Sequence, residues 1–202
     1  MPQGTQGVKR GIHLMQFRSD ILIAVGSNER SSAGTPVETL KTAYACVEKA
    51  GAVIRATSQF YNTPCFPAGA GPDYVNAALA LEWNATPQEI IAQLHRIEAE
   101  LGRARVQRWG QRTLDLDLIA VGDRVLPDLP GYRRWRDLPL ERQMKEAPDR
   151  LILPHPRMQD RAFVLVPLAE VAPDWVHPVS GLSVLQMRDA LDPVLRAEVR
   201  AL

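Results

Sequence analysis

Two runs decide the fold: Val53-Ile54-Arg55-Ala56-Thr57-Ser58-Gln59-Phe60-Tyr61 and Tyr74-Val75-Asn76-Ala77-Ala78-Leu79-Ala80-Leu81-Glu82. The first is rich in β-branched and aromatic residues and predicts a strand. The second alternates: Val75, Ala77, Leu79 and Leu81 share one face, and Tyr74, Asn76, Ala78 and Ala80 share the other. Between them, Thr63-Pro64-Cys65-Phe66-Pro67-Ala68-Gly69-Ala70-Gly71-Pro72 carries too much proline and glycine for a regular element and predicts a loop. Two strands joined by one loop are natural antiparallel neighbours.

The elements outward from this pair agree. Ile21-Leu22-Ile23-Ala24-Val25, ended by Gly26-Ser27-Asn28, predicts a buried strand running into a turn. Thr35-Pro36-Val37-Glu38 and Thr86-Pro87-Gln88-Glu89 are capping boxes with proline at the first helical position. Each opens an apolar stripe: Val37, Leu40, Tyr44 and Val47, stopped at Gly51, and Ile90, Leu94, Ile97 and Leu101, stopped at Gly102. Leu114 to Val121 predicts a further strand, Leu151 to Leu168 a Pro-His-Pro turn followed by an apolar run, and Leu185 to Leu191 a last short helix. Together they predict an α+β domain with a mostly antiparallel sheet.

The chain has 202 residues, 46% apolar and 23% charged, with a net charge of +1. Near-neutrality argues against a protein that lives on nucleic acid or an anionic membrane. No apolar run approaches the ~20 residues needed to span a bilayer. Cys46 and Cys65 have no metal-type spacing, and a cytoplasmic, reducing location is the expectation. Residues 1–19 read as a poorly ordered extension, residues 20–202 as one domain, and the proline-rich, mixed-charge stretch at 127–150 as a surface insertion.

Leu114-Asp115-Leu116-Asp117-Leu118 carries the strongest chemical signal. On a strand, Asp115 and Asp117 project to one side while the three leucines anchor the other. Paired carboxylates repel unless a cation lies between them; magnesium, which shares hard oxygen ligands with phosphates, is the usual answer, and a solvated strand edge is the plain alternative. Upstream, Arg103, Arg105, Arg108 and Arg112 form a run without an acid, suited to phosphate oxygens or simply to water. Trp109, inside this run, suits either a stacking ring or a hydrophobic plug. Tyr74 and Asn76, on the non-core face of their strand, can stack on a planar heterocycle and read its amide edge; an ordinary exposed tyrosine is the alternative. His95 and Glu98, three apart on the second helix, suit a ribose or base, or a solvated flank. His155, between Pro154 and Pro156, suits a phosphate donor or a structural turn, and His177 and His13 are assigned nothing.

These pieces occur together in one family. Ala24-Val25-Gly26-Ser27-Asn28, Phe60-Tyr61-Asn62-Thr63-Pro64, Pro72-Asp73-Tyr74-Val75-Asn76-Ala77-Ala78 and, above all, Arg108-Trp109-Gly110-Gln111-Arg112-Thr113-Leu114-Asp115-Leu116-Asp117 closely resemble the 6-hydroxymethyl-7,8-dihydropterin pyrophosphokinases. Leu153-Pro154-His155-Pro156-Arg157 and Arg161-Ala162-Phe163-Val164-Leu165 extend the likeness to about residue 175. The resemblance implies a ferredoxin-like fold with a cleft, and transfer of diphosphate from Mg·ATP to the hydroxymethyl arm of a reduced pterin, with AMP released, in folate biosynthesis. It implies that Asp115 and Asp117 bind two magnesium ions and act in catalysis with Arg105 and Arg112. The pterin would lie between Tyr74 and Phe163, beside Thr63, Cys65, Phe66, Asn76 and Trp109. ATP would be held by His95, Glu98, Arg105, Arg108, Trp109, Arg112, Leu118, Arg150, His155 and Arg161. Its partners would be ATP and the pterin, with no nucleic acid, membrane or obligate protein partner. Gln111 stands where proline is usual, and Cys65, Phe66 and Ile152 also depart from the common pattern.

Two rivals use the same residues. A nucleotidyltransferase also combines a Gly-Ser turn with Asp-x-Asp, but Gly26-Ser27 and Asp115 lie far apart in sequence here. A nucleic-acid binder would use the arginine run and Trp109 without magnesium.

Overall fold

Apolar side chains on both faces make Ile21–Ser27 (β1) a central strand, and every residue of it except Ala24 is buried. The computed structural model describes residues 21–65, 71–102, 113–143 and 145–202. In it β1 pairs antiparallel with Tyr74–Glu82 (β4) on one side and Asp115–Val121 (β5) on the other. Val53–Thr57 (β2) and Tyr61–Thr63 (β3) follow one another along the far edge of β4, and Arg200–Ala201 (β6) pairs with β3. The sheet therefore runs β5-β1-β4-β3-β6 with β2 also on β4, all antiparallel.

The single strand expected over 53–61 is thus two. Ser58 breaks it: its N–H donates to the Ala78 carbonyl at 3.0 Å, while its hydroxyl, not a backbone carbonyl, accepts from the Ala78 N–H at 2.9 Å. Thr57 faces Leu79 but Tyr61 faces Asn76, so four steps on one strand match three on the other. A one-residue slip moves side chains to the opposite face, and Tyr61 ends on the face of Asn76. Thr63, expected in the loop, is the last residue of β3.

Helices Pro36–Lys49 (α1) and Pro87–Glu100 (α2) cover one face, each opened by the expected capping box. Leu40, Ala43 and Val47 with Ile90, Leu94 and Ile97 pack on Ile23, Val25, Leu79, Leu116 and Leu118. The backbone N–H of each capping threonine holds Glu38 and Glu89 below the usual carboxylate range. The second face is also covered, by Ala162–Val171 (α5) and Val184–Ala190 (α6): Val164, Leu165, Leu168 and Met187 pack on Leu22, Ala78, Ile119 and Ala120. The Tyr74–Asn76 face, expected to lie outside the core, is therefore half core. The order β1-α1-β2/β3-β4-α2-β5, with α1 and α2 on one face of an antiparallel sheet, is ferredoxin-like, and α5 and α6 add a second helical layer.

The 127–150 stretch, expected as a surface insertion, carries two short helices. Asp128 caps Leu129–Arg136 (α3) through the Gly131 N–H at 2.7 Å, and Leu140–Gln143 (α4) follows. It is also anchored, because Tyr132 is fully buried and its hydroxyl lies 2.9 Å from His177 Nε2. His177, assigned nothing from sequence, is 2% exposed, and its Nδ1 accepts from the Val179 and Ser180 N–H groups at 3.1 and 3.2 Å. Nδ1 is therefore unprotonated, and Nε2–H donates to Tyr132. Helix α6 is not the last element: Pro193–Ala197 (α7) and β6 follow it. The sequence signals for these are weak because both are short and without buried residues. Among the described residues, no helix is long and apolar enough to cross a membrane.

Candidate active site

The strand register builds the floor of the site. Asp115 faces Gly26, Gly26 faces Asn76, and Asn76 faces Tyr61, so one cross-strand row holds all four. The next row is Asp117, Ala24 and Ala78. Residues opposite one another share a face, so the acids and Asn76 project together over a trough of glycine and alanine. The trough requires glycine at 26, because a Cβ there would stand 2.6 Å from Asn76 Oδ1. Asn76 is 7% exposed, and its Nδ2 donates to Thr63 Oγ1 at 2.6 Å, fixing the amide. Cys65 follows Thr63 closely, with its Sγ against Gly71.

The trough is walled by the start of α5 and the loop before it. Arg161 Nη1 lies 3.5 Å from Asp117 Oδ2, and its Cζ sits 5.6 Å from the Phe163 ring centroid. Phe163 is 39% exposed, unusual for a phenylalanine and suited to stacking. Pro167 inside α5 lacks the N–H that would bond the Phe163 carbonyl one turn earlier.

His155 is drawn to the acidic strand by its N–H, which donates to the Ile119 carbonyl at 2.8 Å. Its Nδ1 accepts from the Arg157 N–H at 3.2 Å, so the neutral ring carries its proton on Nε2. Burial, reinforced by the charges of Arg161 and Arg157 and opposed by Asp115, pushes the imidazolium down to about 3. Arg157, quoted from sequence without a role, belongs to this cationic wall; burial and Arg161 lower it as well.

Between the ordinary 6.5 of His155 and about 3, the unfolded chain holds a proton that the folded chain does not. The contribution to stability is complete above pH 6.5 and is lost as pH falls towards 3. His177 is lowered mainly by burial and acts in the same direction. Urea unfolding between neutral pH and pH 4 should therefore show stability falling with acid, and His155→Gln should flatten the fall.

Glu98 is 1% exposed, and its Oε1 accepts from the Leu116 N–H at 2.9 Å. Since β5 is the edge of the sheet, Glu98 supplies the acceptor that a missing neighbour strand would otherwise give, between the two aspartates. His95, one turn earlier, is exposed. Glu98→Ala would leave a buried N–H unpaired and should cost about 1–3 kcal/mol of stability; thermal unfolding of Glu98→Ala against Glu98→Gln, which keeps an acceptor, measures it.

The Leu118 side chain is buried in the α1–α2 core, on the face opposite Asp117, because successive residues alternate, which leaves its backbone as the part that borders the acidic edge. Arg150 is exposed and lines a surface cleft with Arg134, Trp135 and Ile152. Phe66, Arg103, Arg105, Arg108, Trp109 and Arg112 lie outside the described residues, as does the 1–19 extension. The residue after the arginine run is described, and its carbonyl is fixed: Thr113 O accepts from Ser27 Oγ at 2.6 Å.

Carboxylates set against guanidinium and imidazole groups, with a small amide-and-aromatic slot in the same trough, suit an enzyme that moves a phosphate-containing group to a planar acceptor. The comparisons give the particular family. Residues 22–173 match the family described as 7,8-dihydro-6-hydroxymethylpterin-pyrophosphokinase (HPPK), and the chain belongs to it. A 2-amino-4-hydroxy-6-hydroxymethyldihydropteridine pyrophosphokinase of Synechocystis is 41% identical over 71% of this chain and 63% of its own length. One from Haemophilus influenzae is 36% identical over 79% of this chain and 86% of its own. Among solved structures, the wild-type HPPK-DHPS of Plasmodium falciparum shares the fold with a TM-score of 0.58 at 15% identity, over 84% of this chain and 44% of that one.

Proposed function

We propose that this chain transfers the terminal diphosphate of ATP to the hydroxymethyl oxygen of 6-hydroxymethyl-7,8-dihydropterin and releases AMP. The observation that carries this is the row Asp115–Gly26–Asn76: the acids of the phosphate site and the amide of the pterin slot share one face, with only a glycine between them. The pterin lies in the slot between Tyr74 and Phe163, read by Asn76 and Thr63, with Cys65 and Phe66 at its rim. The triphosphate lies along the trough towards His155 and Arg161, with Arg105, Arg108 and Arg112 closing from the segment before Thr113.

Asp115 and Asp117 fit magnesium: both are half-buried hard-oxygen donors on one face. Two ions are expected, and phosphate oxygens and water would supply the ligands that two carboxylates do not. Magnesium held there by Asp115 and Asp117 would supply charge neutralisation for the triphosphate. With Nδ1 accepting from Arg157, His155 turns Nε2–H to a phosphate oxygen as a donor. Arg161, ion-paired with Asp117, turns its remaining donors to charge that develops on the transferred group. Stacking and the Asn76–Thr63 pair hold the pterin arm at the β-phosphorus, which supplies proximity.

Incubation with ATP and the reduced pterin tests this: AMP and the pterin diphosphate should appear in equal amounts. Release of inorganic diphosphate instead would establish nucleotidyl transfer and overturn it.

A further inference from the structure

Glu170 lies outside the trough, yet it joins two of its walls. Its Oε2 accepts from the Gln59 backbone N–H at 2.7 Å, and its Oε1 accepts from Gln59 Nε2 at 3.2 Å and from the Tyr61 hydroxyl. One carboxylate on α5 thus grips the segment that leads into β3. Glu170 is exposed, but Tyr61 is buried, and burial together with Glu170 pushes its phenol up to about 12. Tyr61 faces Asn76 in the row that forms the floor, and Thr63, two residues on, holds the Asn76 amide.

Phe163 and Glu170 are seven residues apart on α5. That is two turns, so they share one stripe of the helix, about 10 Å apart along its axis. Because Pro167 leaves the Phe163 carbonyl without its usual donor, the first turn of α5 is held less firmly by the helix ladder itself. Position must then come from packing and from tethers on the same stripe. The outer edge of β3 is also closed: β6 pairs Ala201 with Tyr61 and Arg200 with Asn62, and the Leu202 N–H donates to the Phe60 carbonyl at 2.9 Å. Those residues lie beyond the 22–173 span that matches the family.

We propose that Glu170 is a positioning residue that sets the width of the pterin slot, tying the stripe that bears Phe163 to the strand that bears Tyr61 and Thr63. This rests on the slot assigned above. Glu170 touches neither substrate, and its effect falls on one substrate only.

The test is steady-state kinetics of the full chain with each substrate varied in turn, alongside thermal melting. Glu170→Ala should raise the pterin KM about tenfold and leave the ATP KM within about twofold, since slot geometry and not phosphate binding is lost. Glu170→Gln keeps an acceptor for Tyr61 and should recover part of that rise. Tyr61→Phe removes the hydroxyl without opening a cavity; it should shift the pterin KM in the same direction, and the double variant should fall short of additivity. Equal rises in both KM values, or a lowered melting temperature with both KM values unmoved, would make Glu170 merely structural and end the proposal. Asn76→Ala separates the two levels: if it leaves the pterin KM unmoved, the slot itself is misplaced and the role of Glu170 falls with it. If Asn76→Ala raises the pterin KM and Glu170→Ala does not, only the positioning role falls.

Discussion

Asp117→Asn should abolish turnover, by at least about a thousandfold, while the protein still folds and binds free pterin. The substitution keeps the shape of the side chain and removes its charge. Its structural cost is small, because the one described ion pair of Asp117, to Arg161 at 3.5 Å, is partly exposed. Such pairs are worth about 1 kcal/mol or less. The chemical cost is large because the acid projects from β5 into the trough proposed to hold the triphosphate, whose charge must be balanced there. Single-turnover rates with ATP and pterin, pterin affinity by calorimetry and a thermal melt together check this. Near-normal turnover would remove Asp117 from the metal site, and lost pterin affinity would show that the variant damages the slot instead. Asp115→Asn should behave similarly, with the additional loss of the charge that opposes the depression of His155.

What the sequence made visible was local chemistry. Both capping boxes act within four residues, so Thr35–Glu38 and Thr86–Glu89 fix their helices whatever the rest of the chain does. The placement of Asp115 and Asp117 opposite the leucines follows from a period of two and needs no tertiary information. The same rule puts the Leu118 side chain on the core face with Leu114 and Leu116. The antiparallel sheet was legible because the two decisive runs are neighbours across one loop.

What stayed hidden depends on residues far apart. The break at Ser58 arises because a hydroxyl on one strand replaces a carbonyl opposite Ala78, and no property of 53–61 alone announces it. The face of Tyr74 and Asn76 reads as non-core in sequence because the run at 162–171 gives no sign that it forms the helix covering that face. Tyr132 and His177 are 45 residues apart, and each looks unremarkable until the other is placed beside it. Glu98 reads as a surface acid at helical spacing; only the edge position of β5 makes a buried carboxylate useful there.

Gly26→Ala tests the floor of the site and should separate recognition from folding. Gly26 needs no unusual backbone conformation, and alanine is the better residue in a strand interior by roughly 0.5–1 kcal/mol. The penalty is spatial: the new Cβ would lie 2.6 Å from Asn76 Oδ1 and 4.0 Å from Tyr74 Cδ1. Overpacking of this kind costs about 1–3 kcal/mol. Relief requires the Asn76 amide to turn away, which breaks its 2.6 Å bond to Thr63 and displaces the group proposed to read the pterin. The pterin KM should therefore rise about a hundredfold, the product of a lost polar contact and a displaced ring, while the ATP KM changes little. Adding Asn76→Ala to the variant should remove the clash and restore the melting temperature, yet leave the pterin KM high. A double variant that regained pterin affinity would show that Asn76 reads nothing and that Gly26 serves only the packing of the sheet.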